Sequence, residues 1–83
     1  MSVGLQKVCE IVAMQAGLAP CKVSAGLRLS EDLSVDSLDM QDLLILLEAT
    51  FGVIPDAGQV AAISTVADLH AAIARAYSSK NAP

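Results

Sequence analysis

The chain has no tryptophan, one phenylalanine and one tyrosine, so its core must be built from Leu, Ile, Val, Ala and Met. With so few aromatic residues, this composition favours packed helices over a sheet and predicts an all-α fold. Cysteine is equally scarce. Cys9 and Cys21 form neither a metal-ligand spacing nor a disulfide-rich pattern, and nothing at the N-terminus reads as a signal peptide. The expected setting is the reducing cytoplasm, with Cys9 a small core residue and Cys21 a loop thiol. The longest apolar run, residues 43–47, falls far short of the roughly 20 residues a membrane span needs. Positive charge is missing from the middle of the chain: no Lys or Arg occurs between Arg28 and Arg75, while eight of the nine acids lie there. That block argues against a nucleic-acid partner and for proteins that present Arg and Lys. Eighty-three residues make one domain. A chain of that size buries only about 60 to 65% of its unfolded surface, which leaves little room for an elaborate catalytic cleft.

Helical periodicity organises what is present. Leu5, Val8, Cys9 and Val12 make one apolar face and predict a first helix over residues 3–16, with Ser2 as N-cap and Gly17 just past its end. Pro20 and Ser24-Ala25-Gly26 mark a long connection. Val23, Leu27, Leu29 and Leu33 are spaced along it to anchor it to the core. A second helix is predicted over residues 37–51, with Met40, Leu43, Leu44, Leu47 and Phe51 as its core stripe and Gly52 ending it. Leu38, Ile45 and Leu46 fall off the centre of that stripe, so this helix is either buried on several sides or keeps a face for something else. Pro55 restarts the chain before a short helix within 57–63, which Gly58 weakens. Thr65 can cap a last helix over 66–77, whose stripe is Val66, Leu69, Ile73 and Ala76. Arg75 and Lys80 suit its negative end. The expected organisation is one domain over 1–78 with a flexible tail over 79–83.

Chemistry concentrates at Asp36-Ser37-Leu38-Asp39, where a polar, acidic loop turns into the second helix. The four residues have an ordinary explanation, a capping box with Asp36 as N-cap and Asp39 reaching back from N3. They also place a serine hydroxyl at a helix N-terminus, where unpaired N–H groups and the positive end of the helix dipole favour a phosphate-linked group. The wider context separates the two readings. Leu29-Ser30-Glu31-Asp32-Leu33-Ser34-Val35 leads into the motif, and Leu47-Glu48-Ala49-Thr50-Phe51 and Ile54-Pro55-Asp56 follow the helix.

This pattern resembles the discrete acyl carrier proteins of bacterial fatty-acid and polyketide synthesis, over nearly the whole chain from the first helix to Thr65-Val66-Ala67-Asp68-Leu69. The resemblance implies a small four-helix bundle with a long loop between helices 1 and 2 and a short third helix. It implies that Ser37 receives 4′-phosphopantetheine from coenzyme A through a phosphopantetheinyl transferase, and that the thiol of this arm holds acyl groups as thioesters. Asp36 and Asp39 would help the transferase dock and hold its metal ion, the carrier having no metal site of its own. Asp39, Asp42 and Glu48 match the acidic docking set, and Leu38 and Ile45 the apolar one. The partners implied are acyl-transferring, condensing or ligating enzymes with basic patches, met by a monomeric carrier. Exposed charge pairs are worth about 0 to 1 kcal/mol each, which suits a shuttle that must let go. Leu43, Leu47, Phe51, Ile63 and Ile73 would line a core that parts to admit an acyl chain, or form an ordinary packed core.

The chain departs from the family pattern in places. Ser34 stands where Gly is frequent, Gln41 where an apolar contact is common and Leu46 where a small residue is common. Ala49, Thr50, Gln59, Ala61 and Ala62 occupy usually charged stretches. These departures suggest a specialised carrier that docks less by charge and more by apolar contact. Three rival readings remain. An enzyme would need Ser37, the sole histidine His70 and an Asp to form a triad without a nucleophile-elbow pattern, or Cys21 to pair with His70. A carrier of aminoacyl or peptidyl groups is disfavoured by Asp-Ser-Leu-Asp. The last is a helical adaptor that is never modified.

Overall fold

A computed structural model describes residues 3–80. Among these the chain forms four α-helices and no strand: α1 Leu5–Ala16, α2 Ser37–Phe51, α3 Ala57–Ala61 and α4 Val66–Lys80. A 3-10 turn at Pro20–Lys22 interrupts the connection between α1 and α2. The all-α architecture expected from composition is the one found.

Each helix end has a local cause. The α1 cap is Gly4, in extended conformation, so the helix begins two residues later than periodicity suggests. Val3 instead buries its side chain in the core, and its carbonyl accepts a 2.8 Å contact from His70 Nε2. The predicted cap, Ser2, lies outside the described residues. At its other end α1 stops at Gly17, whose φ of 72° is left-handed and easy for glycine. Gly52 ends α2 in the same way at φ 75°, and the Lys80 amine donates to its carbonyl at 2.7 Å. Asp56 caps α3 by accepting from the Gln59 N–H. The short helix spans five residues rather than reaching Ile63.

A doubly bonded box opens α4. Thr65 Oγ1 accepts from the Asp68 N–H, while one carboxylate oxygen of Asp68 accepts from the N–H groups of Ser64 and Thr65 and from the Ser64 hydroxyl. These bonds hold the Asp68 carboxyl below its ordinary pKa. The helix then continues to Lys80, three residues past the expected end, so residues 79 and 80 belong to α4 and not to a tail. Its last residue serves the end of α2 as well as its own.

The core is aliphatic. Leu43 and Leu47 of α2 meet Leu69 and Ile73 of α4 and Val8 and Val12 of α1, all sealed from solvent. Helix α1 packs against both α2 and α4, and α3 lies against α4. Leu5, placed on the apolar face by spacing, is exposed because the helix has only just begun there.

The long loop is held as its hydrophobic anchors suggest, with Val23 and Leu29 buried and Leu27 and Leu33 half-buried. Backbone pairing adds what periodicity does not reveal. Arg28 and Thr65 form an isolated antiparallel bridge, Leu29 N–H donates to Ser64 O at 2.9 Å, and Val66 N–H donates to Leu27 O at 3.0 Å. The loop before α2 is thus stitched to the junction of α3 and α4, which fixes where α2 begins.

Candidate functional site

Ser37 is the first residue of α2 and its side chain is exposed. The loop delivers it there by a reversal at Ser34, whose φ of 57° turns the chain. Val35 then returns to bury its side chain and donate to Leu29 O at 2.8 Å. Asp36 follows as N-cap. Its carboxylate accepts from the Asp39 N–H at 2.8 Å, and the Asp39 carboxylate accepts from the Asp36 N–H at a longer 3.4 Å. Capping is therefore done by the two aspartates, and Ser37 takes no part in it. Among the described residues, the N–H groups of Ser37 and Leu38 have no acceptor. Two donors and the positive end of α2 face solvent beside the hydroxyl.

A groove of about 580 Å³ opens next to Ser37, between the loop, α2 and α3. Its apolar wall is Leu29, Val35, Met40, Leu44, Val60 and Ile63, and Ser30, Gln41 and Ser64 supply polar atoms. Of the five residues expected to line an acyl cavity, only Ile63 faces this groove. Leu43, Leu47 and Ile73 are fully buried between helices and Phe51 is half-buried, so in this conformation they are packed core. Met40 and Leu44 lie three and seven positions after Ser37, on the same helical face. That spacing is the signal that could have found them. Val60 had no such signal, because it reaches the groove only through the fold of α3.

On the outer face of α2, Leu38 is 71% and Ile45 61% exposed, with the exposed Asp42 between them. The helical repeat puts these three in one stripe, which Glu48 continues. Asp39 is half-buried and Asp36 exposed. None of these acids has an ion-pair partner among the described residues, where the pairs are Lys7 with Glu10 and Arg28 with Glu31. Their negative field is left uncompensated. The structure does not bring His70 to Ser37: the imidazole contacts the Val3 carbonyl and is absent from the groove wall. Cys21 is exposed on the 3-10 turn, away from that wall too.

A model of the phosphopantetheine attachment site matches residues 6–73, most of the chain. The chain is 38% identical to an acyl carrier protein of Thermotoga maritima over 63 residues, covering 76% of this chain and 78% of that one. It belongs to the acyl carrier protein family. It is 49% identical to an acyl carrier protein of Thermosynechococcus vestitus over 53 residues, 63% and 65% of the two chains. Against that of Rickettsia bellii it is 40% identical over 65 residues, 77% and 79%. Members of this family are carriers and not enzymes, and their prosthetic group is 4′-phosphopantetheine. The residues present fit that group: a hydroxyl at an open helix N-terminus, two unfilled N–H donors for a phosphodiester, and an apolar groove alongside. When bound, the group supplies a thiol at the end of a flexible arm, the chemistry of an acyl thioester. No helix among the described residues is long and apolar enough to cross a membrane.

Proposed function

We propose that Ser37 is the attachment point of the phosphopantetheine arm, and that the chain delivers acyl thioesters to cytoplasmic enzymes of fatty-acid, specialised-lipid or polyketide synthesis. The observation that carries this reading is the placement of Ser37. It is exposed, free of capping duty, and set between two unfilled backbone donors and an apolar groove. Asp36 and Asp39 build the helix start and present negative charge to the phosphopantetheinyl transferase. Leu38, Asp42, Ile45 and Glu48 form the surface that successive partner enzymes read. Leu44, Met40, Val60 and Ile63 offer an apolar resting place beside the arm, while Leu43, Leu47 and Ile73 would contribute only if the helices part.

Ala49, Thr50, Ala61 and Ala62 are exposed and uncharged in stretches that the family usually charges, which favours a specialised carrier that docks less by charge and more by apolar contact. Intact-mass measurement after incubation with coenzyme A and a phosphopantetheinyl transferase tests the attachment. The wild-type chain should gain one phosphopantetheine, and Ser37→Ala should gain none while keeping its circular dichroism spectrum. An unchanged wild-type mass refutes carrier function. The specialised role predicts slow turnover with general fatty-acid enzymes, and full activity with them overturns it.

A further inference from the structure

The two cysteines, unrelated to the arm, share a second groove. Cys9 of α1 and Cys21 of the 3-10 turn both line a void of about 540 Å³, together with Leu5, Pro20 and Val23. Their surroundings are unequal. Cys21 is exposed, whereas Cys9 is nearly sealed, and burial raises its pKa above the ordinary thiol value. At neutral pH the accessible nucleophile is therefore Cys21, with Cys9 held mainly as the thiol.

The wall that carries Cys21 packs directly against α1, the helix that carries Cys9. Residues 18–22 are all exposed, and the turn is closed by local bonds, from Lys22 N–H to Ala19 O and from Val23 N–H to Pro20 O. It runs from Gly17, the left-handed C-cap of α1, to the buried anchor Val23, and Leu18 N–H donates to Ala13 O at its start. A local adjustment of the turn against α1 breaks none of the pairing that stitches residues 25–29 to the start of α4.

We propose that Cys21 is a redox modification site for small-molecule disulfides, with Cys9 as its resolving partner across the groove. The Cys21 thiolate attacks a disulfide RSSR, forming Cys21–S–S–R and expelling RS⁻. Cys9, after losing its proton, then attacks the Cys21 sulfur and expels the second RS⁻. Two protein thiols are oxidised to one disulfide, RSSR is reduced to two thiols, and the protons leave with them. The product pins the 3-10 turn to α1 and closes the groove.

The full chain is tested as Ser37→Ala, so that no thiol besides Cys9 and Cys21 is present, against glutathione disulfide. The expected product is a monomer lighter by two hydrogens, resistant to alkylation and with a raised melting temperature. Adding Cys9→Ala should trap one glutathione on Cys21, and adding Cys21→Ser should leave the mass unchanged. Circular dichroism checks that the Cys9 variant is folded. If it is not, the Cys21→Ser chain and peptide mapping of the parent decide the matter alone. A persistent glutathione adduct on the parent with Cys9 still alkylatable, a disulfide-linked dimer, or no reaction overturns the proposal.

Discussion

Replacing Ser34 by glycine should stabilise the carrier. Ser34 is the one non-glycine residue at positive φ among those described, at 57°. Its side chain is exposed and makes no hydrogen bond, so its removal forfeits no contact. A side chain in the left-handed region costs about 1 to 2 kcal/mol from the approach of Cβ to the carbonyl oxygen, which glycine avoids. Glycine loses more backbone freedom on folding, a penalty of about 0.5 to 1 kcal/mol. The difference favours the variant by about 0.5 to 1 kcal/mol, or about 2 to 8 °C in melting temperature for a domain of this size. Urea unfolding of both chains, with equal slopes required, measures it. A loss of about 0.5 to 1 kcal/mol would be glycine's entropy acting alone, and would refute the left-handed turn. Ser34→Val, branched at Cβ, should move stability the other way.

Leu47→Ala removes a fully buried side chain between α2 and the rest of the core, and should cost about 2 to 5 kcal/mol in chemical denaturation. A loss near zero would mean Leu47 lies in a space that opens easily. Leu38→Ala and Ile45→Ala should each leave stability within about 0.5 kcal/mol, because both side chains are largely in solvent, yet slow transfer to partner enzymes. The folded-state pKa of Asp68 lies below its ordinary 3.8. Its contribution is therefore complete above that value and lost as pH falls through the lower, folded pKa. Urea midpoints followed downward from pH 5 should fall more steeply for the wild-type chain than for Asp68→Ala, and parallel curves would contradict the box at the start of α4.

Most of the helical architecture was legible because its causes are local. Asp36 and Asp39 form the box their spacing suggests, Gly17 and Gly52 take the left-handed conformation that stops a helix, and Thr65 caps α4. Errors fell where a distant residue intervened. Val3 is drawn out of α1 by the core and by His70, and α4 runs on to Lys80, whose amine reaches across to the end of α2. The acyl-lining set shows the same limit. Apolar spacing finds Leu43 and Leu47, but it cannot separate a residue sealed by neighbours from one facing a groove.

Sequence alone therefore determined the helices, the serine at the head of α2 and the acidic, apolar character of that helix, because caps, periodicity and charge are properties of neighbouring residues. Tertiary structure decided what Ser37 sits beside. The bridge between Arg28 and Thr65 brings the loop and α3 together, and so makes Leu29, Met40, Leu44, Val60 and Ile63 one wall. These residues come from segments far apart in the chain, and only their packing says which of them face one another.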